Sequence, residues 1–165
     1  MRPQLQAIRT YDPDAGLYGD CHRTCIAMIL DMDRDEVPHF MDGVPKNAAS
    51  DSPECVRAEL DERAWLATQG LTPVNVAYPG DLSLAQLMEL LAFVTREAAV
   101  IVGCTSSSGT NHSVVYYQGR IFNPNTNTIV GPMKDGMWWI TIYARATKPL
   151  PPEPAPANVA TQEDD

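Results

Sequence analysis

The sequence contains one unusually complete helix signal, Gly19-Asp20-Cys21-His22-Arg23-Thr24-Cys25-Ile26-Ala27-Met28-Ile29-Leu30. Asp20 is a residue type that caps helices, and the run that follows it contains no Gly or Pro. This pattern predicts a helix from Cys21 to about Asp31. A thiol in the first turn of a helix lies in the field of unpaired backbone N–H groups, which favour the thiolate.

The second informative stretch, residues 111–125, is predicted to form a β-hairpin around a two-residue turn, Gln118-Gly119. Counting outward from that turn puts three polar side chains on one side of the ribbon: His112, Asn123 and Asn125. Either asparagine can accept the imidazole N–H of His112. That hydrogen bond would fix the ring tautomer and leave the other ring nitrogen free for a thiol.

A cysteine at a helix start, a distant histidine and an asparagine near it are the parts of a thiol triad. On these residues the chain resembles the papain-like cysteine peptidases, most closely the bacteriocin-processing domains that cut leader peptides and more loosely the cell-wall NlpC-type peptidases. The first group carries Asp-Cys-Gly-x-x-Cys-Leu-Ala-Met-Ile, and this chain has Asp20-Cys21-His22-Arg23-Thr24-Cys25-Ile26-Ala27-Met28-Ile29. That group also has His at a strand start and Asp-Pro or Asn-Pro after the next strand, which matches His112 and Asn123-Pro124.

The resemblance implies a cysteine peptidase or amidase of bacterial or phage origin that needs no cofactor or metal. Cys21 would be the nucleophile, His112 the general base and Asn123 the group that orients the ring, with Asn125 as the alternative. The substrate would be a peptide or amide, within a protein or free. The implied fold is α+β and papain-like, with an N-terminal helical part, including the catalytic helix, packed on a C-terminal antiparallel sheet.

The chain departs from the family pattern at two positions. His22 stands where the family usually has Gly, and Ala15 stands where it has a Gln that helps to bind the oxyanion. Losing one oxyanion donor typically slows catalysis by about a hundred- to a thousand-fold. Gln6, Tyr18 and the backbone N–H of Cys21 are the replacements that the sequence leaves open.

Three alternatives to a hydrolase follow from the same residues. An acyltransferase would use the same thiol and the same thioester, and a catalytically inactive papain-like domain would only bind a partner. The third alternative is a zinc site, although the Cys-x-x-x-Cys spacing on one helix is not a finger or ribbon pattern. Its possible ligands are Cys21, His22, Cys25, Cys104 and His112.

The composition sets broad limits. A length of 165 residues is typical of one domain, and we expect a core domain over residues 1–148 followed by a disordered, Pro/Ala-rich acidic tail over 149–165. The net charge of −9 argues against nucleic acid and anionic membranes as partners. Four cysteines and no recognisable export signal favour free thiols in the cytoplasm.

Two further helices are predicted from their start signals. Ser52 and Ser83 are the expected caps, and the first of these helices ends at Gly70. The residues expected to pack inward are Cys55, Leu60 and Leu66 on the first helix and Leu84, Leu87, Leu91 and Val94 on the second.

The remaining strands are predicted from alternation and apolar runs. They span residues 5–10, 72–77, 98–102 and 137–145, with a connecting loop over 126–136. Pro73 restricts the second of these strands to a sheet edge. In the last strand, one of the rings of Trp138 and Trp139 should face inward and the other outward.

Overall fold

A computed structural model describes residues 1–9, 12, 14, 18–45, 48–49 and 51–145. Within these residues the chain forms three α-helices: α1 (Cys21–Leu30), α2 (Pro53–Thr68) and α3 (Leu84–Val94). A short 3₁₀ turn, Arg34–Glu36, follows α1. Ala15 and the expected tail over 149–165 lie outside the described residues.

The same part of the chain forms six β-strands: β1 (Leu71–Pro79), β2 (Val100–Ser106), β3 (Asn111–Tyr117), β4 (Arg120–Phe122), β5 (Ile129–Gly131) and β6 (Met137–Arg145). They form one antiparallel sheet in the order β1-β6-β2-β3-β4, and β5 pairs with the end of β2. The fold is therefore α+β. Strand β1, which contains Pro73, lies at the sheet edge as its sequence predicts.

Helices cover both faces of the sheet. Because side chains alternate along a strand, Val102 of β2 faces α3, whereas its neighbour Ile101 faces α1 and α2. The core on the α3 side contains Leu87, Leu91, Val100, Val102, Cys104, Val114, Tyr116, Trp138 and Ile140. The core on the other side contains Cys25, Ile26, Ala27, Met28, Val37, Leu66, Ile101 and Val115.

Three of the local signals that set element boundaries are confirmed. Ser52 accepts a hydrogen bond from the backbone N–H of Cys55, and Ser83 forms a capping box at the start of α3. Gln118 and Gly119 have φ values of 48° and 76°, which suits a two-residue hairpin turn. The turn pairs Tyr117 with Arg120, so the predicted hairpin register is correct.

Several details of the predicted pattern are wrong. Leu60 is 59% exposed and Val94 is 49% exposed, so neither belongs to the core. Strand β5 lies in the stretch predicted as a loop, and the described residues from Leu5 onward do not form the first predicted strand. None of the helices in the described part of the chain is both long and apolar enough to cross a membrane.

Candidate active site

The start of α1 is held by a buried carboxylate. Asp20 occupies the cap position, but its side chain makes no capping hydrogen bond, so that prediction is wrong. It is 1% exposed and accepts hydrogen bonds from the backbone N–H groups of Ala7 (3.2 Å) and Ile8 (3.0 Å). The Nε of Arg34 lies 3.5 Å from the same carboxylate. Asp20 therefore anchors the N-terminal arm, residues 1–9, to the residue before Cys21.

Three backbone N–H groups lie near the Cys21 sulfur and act to lower the pKa of its thiol. Cys21 is the first residue of α1 and is half-buried. Burial raises the pKa of its thiol, and the negative charge of Asp20 adds to this effect. The backbone N–H groups of Ser113, His22 and Cys21 itself face the sulfur and oppose the increase. Because the net effect is an increase in the thiol pKa, the helix start does not by itself produce a thiolate.

His112 is fixed by Asn123. The imidazole is buried on β3, and its Nε2 lies 2.8 Å from the Oδ1 of Asn123. The amide group of Asn123 is itself oriented, because its Nδ2 donates to the carbonyl of Asn127 and its Oδ1 accepts from the backbone N–H of Asn125. The Nε2 of His112 must therefore carry the proton, which leaves Nδ1 as an acceptor. Burial lowers the pKa of His112, against the effect of the Asn123 hydrogen bond.

The two asparagines that the hairpin register puts on one side have different hydrogen-bond partners in the structure. Asn123 makes the hydrogen bond to the ring. The side chain of Asn125 accepts from the backbone N–H of Thr126, so Asn125 supports Asn123 through its main chain only. Asn123 is thus the residue that is hydrogen-bonded to His112, and among the described residues no hydrogen bond joins Asn125 to the ring.

Ser113 connects the two halves of the site. Its backbone N–H faces the Cys21 sulfur, and it directly follows His112 in β3. Among the described residues, no hydrogen bond joins the Cys21 thiol to the His112 ring; the ring bonds to Asn123. Strand alternation puts the His112 ring on the α3 face of the sheet, with Val114 and Tyr116, whereas the Ser113 side chain faces α1. Both groups are uncharged in their favoured forms, because burial raises the thiol pKa and lowers the imidazole pKa.

The two other buried cysteines belong to the cores. Cys25 is fully buried on α1, and burial raises the pKa of its thiol. Cys104 is also fully buried, and desolvation raises its pKa to about 12. Its sulfur donates to the carbonyl oxygen of His112 at 3.5 Å, which ties β2 to the strand that carries the ring. Among the described residues, no group of three or more His, Cys, Asp or Glu side chains is arranged to hold a metal ion.

The N-terminal arm touches both sides of the site. The backbone N–H of Gln6 donates to the carbonyl oxygen of Pro124 at 2.9 Å, next to Asn123. Two residues later the arm reaches the carboxylate of Asp20, next to Cys21. The arm thereby links the residue that precedes the thiol to the residue that follows the orienting amide.

The oxyanion donors left open by the sequence differ in their surroundings. One amide hydrogen of Gln6 is used by the carbonyl of Ile8 at 2.7 Å. The carbonyl of Tyr18 accepts from the Nε2 of His39 at 3.1 Å. Of the three candidates, the backbone N–H of Cys21 is the one that faces the sulfur.

A second histidine, His22, follows the thiol residue; the sequence marked it as a departure from Gly and as one possible zinc ligand. The Nε2 of His22 lies 3.1 and 3.2 Å from the two carboxylate oxygens of Glu62 on α2, and the Tyr143 hydroxyl of β6 donates to the same carboxylate. The other ring nitrogen lies 3.4 Å from the Ser113 hydroxyl. Desolvation lowers the pKa of His22, but the charge and hydrogen bond of Glu62 outweigh it, so the pKa is raised.

A sequence signal for this pair exists on α2. Its buried face runs through Ala58 and Leu66, which are eight residues apart, and Glu62 lies midway between them. A carboxylate in the middle of an apolar stripe requires a partner, because an unpaired buried charge is costly. A small cavity of about 150 Å³ adjoins the pair and is bordered by Asn75 and Thr141.

Comparison with known proteins gives no relative to this chain. No family model matches it, and neither a curated protein nor a solved structure does.

Proposed function

We propose that the protein is a papain-like cysteine peptidase or amidase that works in the cytoplasm and forms a thioester with its substrate. Cys21 is the nucleophile, His112 the general base and Asn123 the residue that orients the ring. The observation that carries this proposal is the His112–Asn123 hydrogen bond of 2.8 Å, one residue away from the Ser113 N–H that faces the Cys21 sulfur. The proposed substrate is a peptide or amide, within a protein or free.

The reaction follows from the protonation states of the two groups. Nδ1 of His112 accepts the thiol proton as the Cys21 sulfur attacks the acyl carbon, so the pair becomes charged during the reaction and not before it. The imidazolium then gives that proton to the leaving amine, and a thioester remains. Water attacks the thioester with His112 as base, which releases the carboxylic acid and restores the thiol. The backbone N–H groups at the sulfur are the nearest donors for the developing oxyanion.

The charge-neutral resting pair has a kinetic consequence. Because the thiol pKa is raised and the ring pKa is lowered, the thiolate is scarce until a proton is transferred. Reaction with an electrophile should therefore depend strongly on the His112 ring, since the ring must take the proton. A thiol that is already ionised would not need that help.

The experiment measures labelling of individual cysteines by an iodoacetamide-type probe at pH 7, resolved by peptide mass spectrometry. Cys55 is half-buried and lies outside the site, so it is an internal reference in the same molecule. We expect Cys21 to react faster than Cys55, and His112→Ala to slow Cys21 alone. If the two cysteines react at equal rates and His112→Ala changes neither, the proposed chemistry is wrong.

Two other functions use the same residues. An acyltransferase would pass the acyl group from Cys21 to an amine, and mass spectrometry of products made with and without added amine separates transfer from hydrolysis. An inactive papain-like binding module is favoured by two observations among the described residues. No hydrogen bond joins the thiol to the ring, and the His112 ring lies on the α3 face of the sheet while α1 packs on the other face. Unreactive Cys21 in a folded protein would support that second candidate.

A further inference from the structure

We propose that His22, held by Glu62, is a positioning residue for the Cys21 thiol: it fixes Ser113 against the sulfur and keeps a positive charge beside the thiolate when it forms. This inference rests on the proposed function, because it concerns the same nucleophile. The proposal assigns a role to His22, which stands where the family that the chain resembles usually has Gly.

The contacts form a relay across four elements. The Tyr143 hydroxyl on β6 lies 3.4 Å from the Glu62 carboxylate on α2, and that carboxylate lies 3.1 Å from the Nε2 of His22 on α1. The relay ends on β3, where the Ser113 hydroxyl lies 3.4 Å from the Nδ1 of His22. Each link joins a different helix or strand, so the relay fixes the position of α1 relative to the sheet.

The relay ends on the residue that touches the nucleophile. His22 follows Cys21 on α1, and its backbone N–H faces the sulfur. Ser113 follows His112 on β3, and its backbone N–H faces the same sulfur. Holding Ser113 through its hydroxyl therefore holds one of the donors that a thiolate at Cys21 needs. The position of His112 relative to the sulfur is set by the same peptide unit.

The charge on His22 follows from the groups around it. Glu62 is largely buried and contacts the ring with both oxygens, while Tyr143 supplies a hydroxyl to the same carboxylate. Glu59 and Arg63 on α2 also border the adjacent cavity, but they are exposed and paired with each other at 2.7 Å. On α1, Asp20 is held by Arg34 and by the N-terminal arm. Glu62 is thus the carboxylate that acts on His22, and it favours the protonated form of the ring.

A rival interpretation treats Ser113, His22 and Glu62 as a second hydrolytic triad, with Ser113 as the nucleophile. That triad needs an unprotonated ring nitrogen facing the serine hydroxyl. The paired carboxylate raises the pKa of His22, which favours the doubly protonated ring, and in that form Nδ1 donates to the hydroxyl. A positioning role for the relay is therefore favoured over a second nucleophile.

The test measures the rate of Cys21 alkylation by iodoacetamide between pH 5.5 and 9.5 in His22→Gln and Glu62→Gln, again resolved by peptide. We expect each variant to lower the rate at pH 7 by about tenfold and to leave the high-pH plateau unchanged, because the loss lies in thiolate formation. The double variant should lose no more than either single variant, since the two residues act as one unit. Glu59→Gln, on the same helix, should keep the rate within about twofold.

The possible outcomes distinguish failure of the proposed relay from failure of the proposed function. Wild-type alkylation profiles in both variants would overturn the inference, and so would an equal loss at every pH, which indicates a purely structural effect. Failure of the proposed function is different, because Cys21 would then be unreactive in the parent protein as well. Labelling of Ser113 by a fluorophosphonate probe, lost in Ser113→Ala and kept in Cys21→Ala, would support the second triad and overturn the positioning role. Thermal unfolding verifies that each variant is folded.

Discussion

His112 and His22 lie on opposite sides of β3, and each gives one ring nitrogen to a partner from another part of the chain. The partner of His112 is a neutral amide, and the ring is buried, so its pKa is lowered. The partner of His22 is a carboxylate, and that charge outweighs burial, so its pKa is raised. The comparison shows that the charge of the partner, more than the burial of the ring, decides whether the pKa of each histidine is raised or lowered.

The largest expected effect separates the two rings by function. His112→Gln should slow the reaction of Cys21 with an electrophilic probe at pH 7 by about a hundredfold, because the proton acceptor is lost. His22→Gln should slow it by only about tenfold, as argued above. Stopped-time labelling with peptide mass spectrometry measures both rates. Equal losses in the two variants would remove the functional distinction between the rings.

A smaller effect, on the free energy of unfolding, is expected for Asn123, the hydrogen-bond partner of His112. Asn123→Ala removes the acceptor for the His112 ring and for the Asn125 N–H, and we expect it to lower the free energy of unfolding by about 2 kcal/mol. Asn125→Ala is the matched control, since it keeps both of those hydrogen bonds to Asn123, and its cost should be nearer to 1 kcal/mol. Urea denaturation measures both values. A reversed order would mean that Asn125 is the more important amide.

The opposite pKa shifts predict opposite pH dependences of stability. The pKa of His22 is raised above 6.5, so its contribution is complete below pH 6.5 and is lost as the pH rises through the folded-state pKa. The pKa of Glu62 is lowered from 4.5, so the contribution of this carboxylate is complete above pH 4.5. The pKa of His112 is lowered from 6.5, so folding is favoured above pH 6.5 and is weakened as the ring is forced to protonate.

Urea denaturation at pH 5.5 and pH 8.5 tests these signs. The destabilisation caused by His22→Gln should be larger at pH 5.5 and should stay below about 1 kcal/mol, because the pair is partly exposed to solvent. Removing His112 with the same substitution should cost more at pH 8.5 than at pH 5.5. The same pH trend in both variants would contradict the assigned shifts.

The smallest expected effect lies at the far end of the relay. Tyr143→Phe removes a hydroxyl whose contact with Glu62 is long, at 3.4 Å. The free energy of unfolding should change by about 0.5 kcal/mol, and Cys21 alkylation at pH 7 by less than about twofold. A loss as large as that of Glu62→Gln would mean that the hydroxyl, and not the carboxylate charge alone, holds His22 protonated.

Local signals in the sequence predict much of the fold. The Gln118-Gly119 turn gives the hairpin register, and the register puts His112, Asn123 and Asn125 on one side of the ribbon but leaves open which asparagine bonds to the ring. Alternation also sorts the tryptophans correctly, with Trp138 buried and Trp139 partly exposed. These features depend on residues close together in the chain, so turn chemistry and strand period are sufficient to find them.

Features that depend on distant contacts are the ones that the sequence hides. Asp20 looks like a helix cap, but the arm that it binds comes from residues 7 and 8, and a local pattern cannot show that contact. Val94 belongs to the apparent apolar stripe of α3, whereas Thr95 is the residue that is buried. The His22–Glu62 pair spans 40 residues, and only the apolar surroundings of Glu62 indicate it. Periodicity identifies which face is buried, but not which polar residue on that face has a partner.

The buried carboxylate of Asp20 also limits how the chain can be shortened. Deleting the first eight residues would strip that carboxylate of both of its main-chain donors and would free the Pro124 carbonyl from Gln6. A trimmed protein would then keep the carboxylate immediately before its thiol without those two donors, at 3.5 Å from the Nε of Arg34. The opening residues are accordingly a part of the unit that fixes the first turn of α1 and the end of the hairpin.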